Sequence, residues 1–444
     1  MRNDTIFALS TAPGRAGVAV VRVSGPQAGA ALDALAGTRP PARLAQLREI
    51  HVPEDNEPLD RGLVIWFPAP QSFTGEDVAE FQVHGGRAVV AGLLEALGGQ
   101  AGLRPAEPGE FSRRAFEGGR MDLAQVEGLA DLIEAETAAQ RSQALRQMEG
   151  GLSELVGTWR RTLIQLSALV AADIDFPDED DVPGGLTAKA RPGIAVLAAE
   201  LEAQLAKGDR AARLREGLEV AILGAPNVGK SSILNALAGR DAAIVSSLAG
   251  TTRDVVEVHM DLGGYPVALA DTAGLREAAD EIESEGVSRA LERARRADLR
   301  LIIFDARAWP EADLATREAA KAGDVIVLNK ADEAEGLVAP ETLWGTALLV
   351  SAKTGQGLAE LETRLGAEVI ERAGISETPA ITRQRHRKAL EDAIGALHRA
   401  EAALEAELCG EDLRLAARAL ERLLGKVDVE DLLDVIFAEF CIGK

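Results

Sequence analysis

The chain has 444 residues, of which 47% are hydrophobic and 3% aromatic, and its formal net charge is −23 at pH 7. This length exceeds what a single hydrophobic core usually supports, so we expect roughly three domains. The negative charge argues against DNA or RNA as the main ligand unless a local basic patch or a second protein supplies the contact, and so few aromatic rings leave little for base stacking.

Two cysteines, Cys409 and Cys441, are too few for a disulfide framework. The first residues, MRNDTIFALSTAPGRAG, lack the apolar run of a signal peptide, and no later apolar run is long enough to cross a bilayer. We therefore expect a soluble cytoplasmic protein without a membrane partner.

Residues 1–118 alternate short apolar runs, such as GVAVVRVSG and VAEFQVHGG, with turns rich in glycine and proline. This pattern is typical of a mixed α/β domain.

A helical rhythm begins after FEGGRMDLAQ and predicts one long amphipathic helix, capped by Asp122 and running to the break at Gly150 and Gly151. The later stretch DFPDEDDVP predicts a solvated loop, and helices return from about Arg383. Near the end, an apolar stripe is formed by Leu433, Ile436, Phe437 and Phe440. We expect residues 119–212 and 378–444 to pack as one discontinuous helical domain, because neither segment would bury its stripe well alone.

Residues 217–374 repeat the order strand, glycine-rich turn and helix, as in an inserted parallel α/β module. The stretch VAILGAPNVGKSS fits a phosphate-binding loop between a strand and a helix. Lys230 is expected to reach the outer phosphates and the Ser231 hydroxyl to bind Mg²⁺. The predicted nucleotide-binding residues of this loop are Asn227, Val228, Gly229, Lys230, Ser231 and Ser232.

Further stretches predict the remaining contacts to a nucleotide. In ADTAG, Asp271 can reach the metal shell and the Gly274 N–H can approach a γ-phosphate, with Thr272 and Ala273 between them. VIVLNKAD offers the Asp332 carboxylate to both N–H groups of a guanine edge, beside Asn329 and Lys330, and VSAK supplies a neighbouring base loop of Ser351, Ala352 and Lys353. This set resembles the guanine-specific GTPases and favours GTP over ATP.

Leu275 stands where many such GTPases carry a glutamine that orients the attacking water. Another residue must hold that water, and Glu283 in the acidic cluster DEIESEG is our candidate. Without a family resemblance, the pattern itself favours a solvated helix start for this cluster. In VSSLAGTTRD, Thr251 and Thr252 can offer a hydroxyl to Mg²⁺, and the preceding loop can offer carbonyl oxygens to a monovalent cation. Such a cation would supply the charge of an arginine finger.

Nearly the whole chain resembles the MnmE (TrmE) family of tRNA modification GTPases. The resemblance lies in TAPGRAGVAVVRVSG, SFTGEDVAEFQVHGG, EPGEFSRRAFEGGRMDLAQVEGLADLI, GAPNVGKSSILNAL, AGTTRD, DTAGLRE and the terminal FCIGK. It implies an N-terminal α/β folate-binding domain, a discontinuous helical domain and an inserted P-loop Ras-like G domain. It also implies a homodimer joined through the N-terminal domains.

The same resemblance implies the chemistry. GTP hydrolysis would be activated by K⁺ held by Asn227, Ser246, Leu248 and Thr251, with Glu283 orienting the water; family members commonly have threonine at the Ser246 position. With an FAD-dependent partner of the MnmG (GidA) type, the protein would add an aminomethyl or carboxymethylaminomethyl group to a wobble uridine of certain tRNAs. The one-carbon unit would come from 5-formyl- or 5,10-methylene-tetrahydrofolate.

The implied folate-binding residues are Arg22, Glu80, Arg120 and Lys444. A pterin edge offers donors to a carboxylate, and a glutamyl tail favours cations. Cys441 is either catalytic or a small residue packed near the folate pocket, and the sequence leaves both readings open. We expect residues 441–444 to leave a short helix, capped by Asp428, as a strand-like arm directed into the folate cleft.

Two other functions are also consistent with the sequence. One is a GTP-dependent RNA-binding or ribosome-assembly switch without modification chemistry, although no basic GxxG-type RNA loop is evident. The other is a folate enzyme that uses its G domain only for regulation.

Overall fold

The computed structural model describes residues 4–53, 55–175, 185–240, 257–271, 296–311, 313–334, 336–373, 381–427, 430–438, 440 and 442–443. Its strands are β1 (Thr5–Leu9), β2 (Ala16–Ser24), β3 (Gln46–His51), β4 (Pro58–Phe67), β5 (Val78–Gly85), β6 (Leu103–Pro105), β7 (Leu218–Leu223), β8 (Glu257–Leu262), β9 (Tyr265–Asp271), β10 (Leu299–Asp305), β11 (Val325–Asn329), β12 (Glu341–Thr342), β13 (Gly345–Thr346) and β14 (Leu348–Leu349). Its helices are α1 (Ala28–Ala36), α2 (Arg87–Gly98), α3 (Glu110–Glu117), α4 (Leu123–Glu134), α5 (Ala138–Met148), α6 (Gly151–Asp175), α7 (Leu186–Glu216), α8 (Lys230–Ala238), α9 (Leu314–Ala319), α10 (Leu358–Ala373), α11 (Gln384–Ala402), α12 (Ala406–Leu423) and α13 (Glu430–Ala438).

The chain divides into two compact units. The first comprises Met1–Ala130 and Ala417–Lys444, and the second comprises Asp131–Ala416. In the part of the chain that the structure describes, no helix is both long enough and apolar enough to cross a membrane.

The first unit contains a six-stranded sheet in the order β3-β4-β5-β2-β1-β6, antiparallel except for the parallel pair β1 and β6. Alternation along a strand directs successive side chains to opposite faces. Val21 and Val23 of β2 are therefore buried in the same cluster as Leu32 and Leu93 of α1 and α2. Arg22, between those two valines, faces the other side. The mixed α/β character predicted for residues 1–118 is confirmed.

Helix α13 packs its apolar stripe within the first unit. Leu433, Ile436, Phe437 and Phe440 are buried in one cluster with Leu123 and Val126 of α4. The burial predicted for this stripe is confirmed, whereas its predicted cap, Asp428, lies outside the described residues.

The single long helix predicted from Asp122 to Gly150 is wrong, because the structure divides it into α4 and α5. The start is as predicted, since the Asp122 carboxylate accepts the Gln125 N–H at 3.0 Å. The break arises at Thr137, which forms a reciprocal capping box with Gln140 and so begins a new helix. Apolar spacing continues across this break, which is why periodicity alone missed it.

The second unit carries a six-stranded sheet in the order β14-β11-β10-β7-β9-β8, in which only β8 runs antiparallel to its neighbour. Strands β7, β10 and β11 bury alternating aliphatic side chains on both faces, as expected for a parallel sheet covered by helices. Helix α7 packs against α6 and α11 in the same unit.

Candidate functional site

The phosphate-binding loop joins the end of β7 at Leu223 to the start of α8 at Lys230. Gly229 has a φ of 96°, where side chains are disfavoured, and a Cβ there would collide with the Asn329 side-chain amide. A Cβ on Gly224 would lie 2.5 Å from the Ile303 carbonyl oxygen. Both glycines are therefore required by the space available, and the cradle they form fits a polyphosphate.

Lys230 is buried within this loop. Its Nζ donates to the carbonyl oxygens of Gly224 at 2.8 Å and Ala225 at 2.9 Å. The ammonium thus lies inside the curve of the loop, beside the N-terminus of α8, where phosphate oxygens would be stabilised by both charge and backbone N–H groups. Ser231 and Ser232 follow on the first turn of the helix and are exposed.

Asn329, at the end of β11, links the phosphate loop to the predicted base loops. Its Nδ2 donates to the Val228 carbonyl at 2.8 Å, and its Oδ1 accepts the Ala352 N–H at 3.2 Å. The residue is 2% exposed, so both contacts are shielded from water. The structure thus brings together the three stretches GAPNVGKSS, NKAD and VSAK.

The other base-loop residues lie around this link. Lys330 has a φ of 66°, and its Nζ donates to the Asn227 carbonyl at 2.7 Å. Asp332 lies in a short 3₁₀ turn, Ala331–Glu333, and is half-buried. Ser351 is buried, with its hydroxyl accepting the Thr354 N–H at 3.1 Å, while Lys353 is exposed.

Asp305 is a residue of this site that sequence reasoning missed. Its carboxylate lies 2.8 Å from Lys330 Nζ and 2.7 Å from an Arg307 guanidinium nitrogen. The hydrogen bond from Arg307, together with that from Lys330, outweighs burial and holds the pKa of Asp305 well below its usual range. Asp305 ends β10 and pairs in register with Asn329 at the end of β11, and this register, which the sequence does not show, is what brings the two residues together.

The remaining predicted nucleotide and cation residues fall outside the described residues: Ser246, Leu248, Thr251, Thr252, Thr272, Ala273, Gly274 and Glu283. The backbone of Asp271 is described and ends β9, paired with Ile222 of β7. This register places the chain at Asp271 beside the strand that leads into the phosphate loop.

A second candidate site lies in the first unit, where Arg22 and Glu80 pair across β2 and β5. The Arg22 Nε lies 3.0 Å and its NH2 2.9 Å from Glu80 Oε1, and the two side chains are 21% and 15% exposed. The Arg22 guanidinium lies 5.2 Å from the centroid of the Phe73 ring and 5.8 Å from that of Phe111. The Phe111 ring is fully buried in the core, so a partly exposed cation and carboxylate beside the half-buried Phe73 ring remain to suit a flat heterocycle with hydrogen-bonding edges.

Arg120 follows α3, and its backbone N–H donates to the Ala115 carbonyl at 2.8 Å. Its aliphatic stem packs over Gly75, since a Cβ on that glycine would lie 3.2 Å from Arg120 Cγ. Gly75 belongs to the same loop as Phe73, so this loop contacts both predicted cations, Arg22 and Arg120.

The carboxyl-terminal arm runs beside β1. Ile442 forms an antiparallel bridge with Pro108, and Gly443 has a φ of 95° against the Leu9 carbonyl. Leu9 directly follows Ala8, which pairs with Arg22. The predicted strand-like arm is confirmed for Ile442, whereas Gly443 forms a turn and Cys441 and Lys444 lie outside the described residues. Cys409 is buried in the first turn of α12, and burial raises the pKa of its thiol.

An ion network was not predicted from the sequence; its members are Asp4, Glu76, Arg104, Glu110 and Arg114. Arg114, with a side chain 2% exposed, contacts Glu110 at 3.0 Å and Glu76 at 3.1 Å. Arg104 contacts Glu110 at 2.6 Å and Asp4 at 2.7 Å. Burial raises the pKa of Glu110, but hydrogen bonds from Arg104, from the Glu107 N–H and from Arg114 outweigh it and lower the pKa to about 2.

Comparison with known proteins accounts for the whole chain. A family model described as the MnmE helical domain matches residues 123–441, and one described as the GTP-binding protein TrmE N-terminus matches residues 5–120. The chain belongs to the MnmE family. The tRNA modification GTPase MnmE of Parvibaculum lavamentivorans is 58% identical over 447 residues, which cover 99% of this chain and 100% of that protein. The protein of the same name from Paramagnetospirillum magneticum is 53% identical over 446 residues, covering 100% of both chains.

The fold class predicted for an MnmE-family chain is confirmed. The TrmE N-terminal match covers the sheet of the first unit, and the helical-domain match encloses the α/β module that carries the phosphate loop. Among solved structures, the G domain of the T. maritima FeoB iron transporter is 26% identical and covers 35% of this chain and 99% of that one, with a TM-score of 0.27. At that TM-score the likeness adds nothing to the family assignment.

Proposed function

We propose that this protein hydrolyses GTP and, with an FAD-dependent partner of the MnmG type, adds an aminomethyl or carboxymethylaminomethyl group to the wobble uridine of certain tRNAs. The observation that carries the proposal is similarity over the full length to proteins named tRNA modification GTPase, at 58% and 53% identity. Two separate sites in this chain, a phosphate loop and the Arg22–Glu80 pair, suit the two ligands that such chemistry needs.

GTP is the nucleotide that the second unit suits best. Lys230 would neutralise the outer phosphates, the Ser231 hydroxyl would join Thr252 in holding Mg²⁺, and Asp332 would accept the N–H groups of guanine. The contact from Asn329 to Val228 supports this role, because it fixes the base loops relative to the phosphate loop.

Hydrolysis is proposed to depend on K⁺ and on Glu283. Leu275 cannot orient water, so Glu283 would do so, while K⁺ held by Asn227, Ser246, Leu248 and Thr251 would offset charge developing on the phosphates. The φ of 62° at Asn227, together with the bond from Lys330 to its carbonyl, supports a preorganised loop at one of these four positions.

Tetrahydrofolate, as its 5-formyl or 5,10-methylene form, is the proposed one-carbon source. The Glu80 carboxylate would accept donors of the pterin edge, and Arg22, Arg120 and Lys444 would provide positive charge. The half-buried Phe73 ring beside Arg22 supports this assignment, because a pterin is flat and aromatic. Folate bound there would supply the one-carbon group, with Cys441 either reacting or only packing.

The same proposal includes a homodimer joined through residues 1–118, a G domain of residues 217–374 and helical segments 119–212 and 378–444. The protein would act in the cytoplasm, and the MnmG-type partner would carry much of the tRNA contact. This division of labour fits the net charge of −23.

The test is nucleoside mass spectrometry of tRNA from a strain that lacks the gene. Loss of the modified wobble uridine, restored by the intact gene, is the expected result. Normal modification would instead favour the RNA-binding or ribosome-assembly switch. Folate retained by the purified chain, with modification unaffected, would favour a folate enzyme regulated by its G domain.

A further inference from the structure

A single loop joins the two cations of the Arg22 site. Residues 72–76, with the sequence SFTGE, lie between β4 and β5. Phe73 places its ring 5.2 Å from the Arg22 guanidinium, and Gly75, at a φ of 81°, supports the stem of Arg120. The position of this 72–76 loop therefore sets the spacing between Arg22 and Arg120.

Side chains rather than a strand ladder fasten the loop to the sheet. Glu76 Oε2 accepts the Ser24 hydroxyl at 2.8 Å and an Arg114 nitrogen at 3.1 Å. The Ser24 hydroxyl also lies 2.7 Å from the Thr74 hydroxyl. Glu76 thus ties the loop both to the end of β2 and to a buried arginine of α3.

Arg114 is itself rigidly held. Besides Glu76, it donates to the Asp4 carbonyl at 3.0 Å and to Glu110 at 3.0 Å, and its side chain is 2% exposed. A buried guanidinium that donates to Asp4 and Glu110 independently of Glu76 has little freedom to follow a moving loop. A change at Glu76 therefore releases the loop from a fixed support.

We propose that Glu76 and Arg114 are positioning residues for the folate site. They hold the 72–76 loop so that the Arg22–Glu80 pair meets a pterin while Arg120 meets the glutamyl carboxylate of the same ligand. This inference rests on the proposed folate binding. Its distinctive consequence is that Glu76 governs how well the two ends of one ligand are bound together.

The experiment compares two ligands on the full chain. Titration calorimetry would give the Kd of 5-formyltetrahydrofolate and of the same reduced pterin lacking its aminobenzoylglutamate tail, for wild type and Glu76→Gln. We expect Glu76→Gln to raise the Kd of the folate about tenfold and that of the short pterin less than twofold. A general destabilisation of the first unit would raise both Kd values by the same factor. The ratio of the two Kd changes therefore distinguishes a positioning role from a loss of stability.

Three further variants sharpen the test. Glu76→Asp keeps the charge and should bring the folate Kd most of the way back to the wild-type value. Gly75→Ala leaves the Glu76–Arg114 ion pair in place but should raise the folate Kd as Glu76→Gln does, because its Cβ would press on Arg120. Asp33→Asn removes a carboxylate from an exposed pair with Arg39 and should leave both Kd values unchanged. GTP hydrolysis should be unaffected throughout.

If Glu76→Gln raised both Kd values by the same factor, or changed neither, the positioning role would be wrong, but the proposal that folate binds at this site would stand. If the wild-type chain bound neither ligand, the folate site and the positioning role would both be wrong.

Discussion

Glu110 offers a quantitative test of the ion network that Arg104 and Arg114 form with neighbouring carboxylates. Its side chain is 2% exposed and contacts Arg104 at 2.6 Å and Arg114 at 3.0 Å. Its pKa is lowered from 4.5 to about 2. This difference, at about 1.4 kcal/mol per pKa unit, makes the ionised carboxylate worth about 3 kcal/mol to the folded state.

The pH dependence follows from the sign of this shift. Because the folded pKa lies below the unfolded one, the stabilisation is fully present above the unfolded pKa and is lost as the pH falls through the folded pKa. Glu110→Gln should therefore destabilise the first unit by about 3 kcal/mol near pH 7. The gap between variant and wild type should shrink by about 1 kcal/mol at about pH 4.

Amide hydrogen exchange of peptides from β1 and β6 measures this gap within the intact chain, where unfolding of several domains would obscure a single transition. Glu117→Gln, on the same helix but with a side chain 39% exposed, is the matched control and should change stability by less than about 0.5 kcal/mol. Equal protection of Glu110→Gln and wild type near neutral pH, or a gap that widens with acid, would refute the reasoning.

Three predictions concern the nucleotide site. Gly229→Ala should lower GTP affinity more than about tenfold in a fluorescent-nucleotide titration, because its Cβ enters the Asn329 amide at a strained φ; unchanged affinity would contradict the cradle. Asp305→Asn should weaken GTP and GDP alike by about tenfold, since Lys330 loses its anionic partner, and normal affinity would show that this pair is not needed. GTP hydrolysis should be faster in K⁺ than in Na⁺, and equal rates in the two salts would contradict the proposed role of the cation. Glu283→Ala should remove most turnover while nucleotide binding remains.

Local sequence was sufficient wherever chemistry depends on contiguous residues. The phosphate loop could be assigned from VAILGAPNVGKSS, because a strand, spaced glycines and a helix all lie within one short stretch. The Arg22–Glu80 pair was assigned by family resemblance, and the register of β2 with β5 explains why the two residues meet.

What escaped prediction depends on contacts between distant segments. Asp305 and Arg114 are charged residues of a kind that is usually solvated, and nothing near them in sequence shows that β11 or the 72–76 loop will approach. Their roles became visible only once strand order and helix packing were known. The break before α5 has a local cause instead. The capping box of Thr137 and Gln140 starts a new helix there, although the apolar spacing of the sequence continues across the break.

The carboxyl-terminal arm gives the last prediction, because its backbone is fitted closely to β1. Gly443 has a φ of 95°, and a Cβ there would strike the Leu9 carbonyl, so Gly443→Ala should displace the arm. We expect this variant, like deletion of residues 441–444, to weaken folate binding and abolish tRNA modification while GTP hydrolysis persists. Gly185→Ala is the control: its φ of 77° and ψ of 33° lie in the left-handed helical region, where alanine costs about 1 kcal/mol, and nothing lies within 4 Å of its Cβ. Cys441→Ser then separates the two readings of the thiol, since lost modification with normal folate affinity indicates chemistry and full modification indicates packing. Normal folate binding and modification in both Gly443→Ala and the deletion would show that the arm does not serve the folate site.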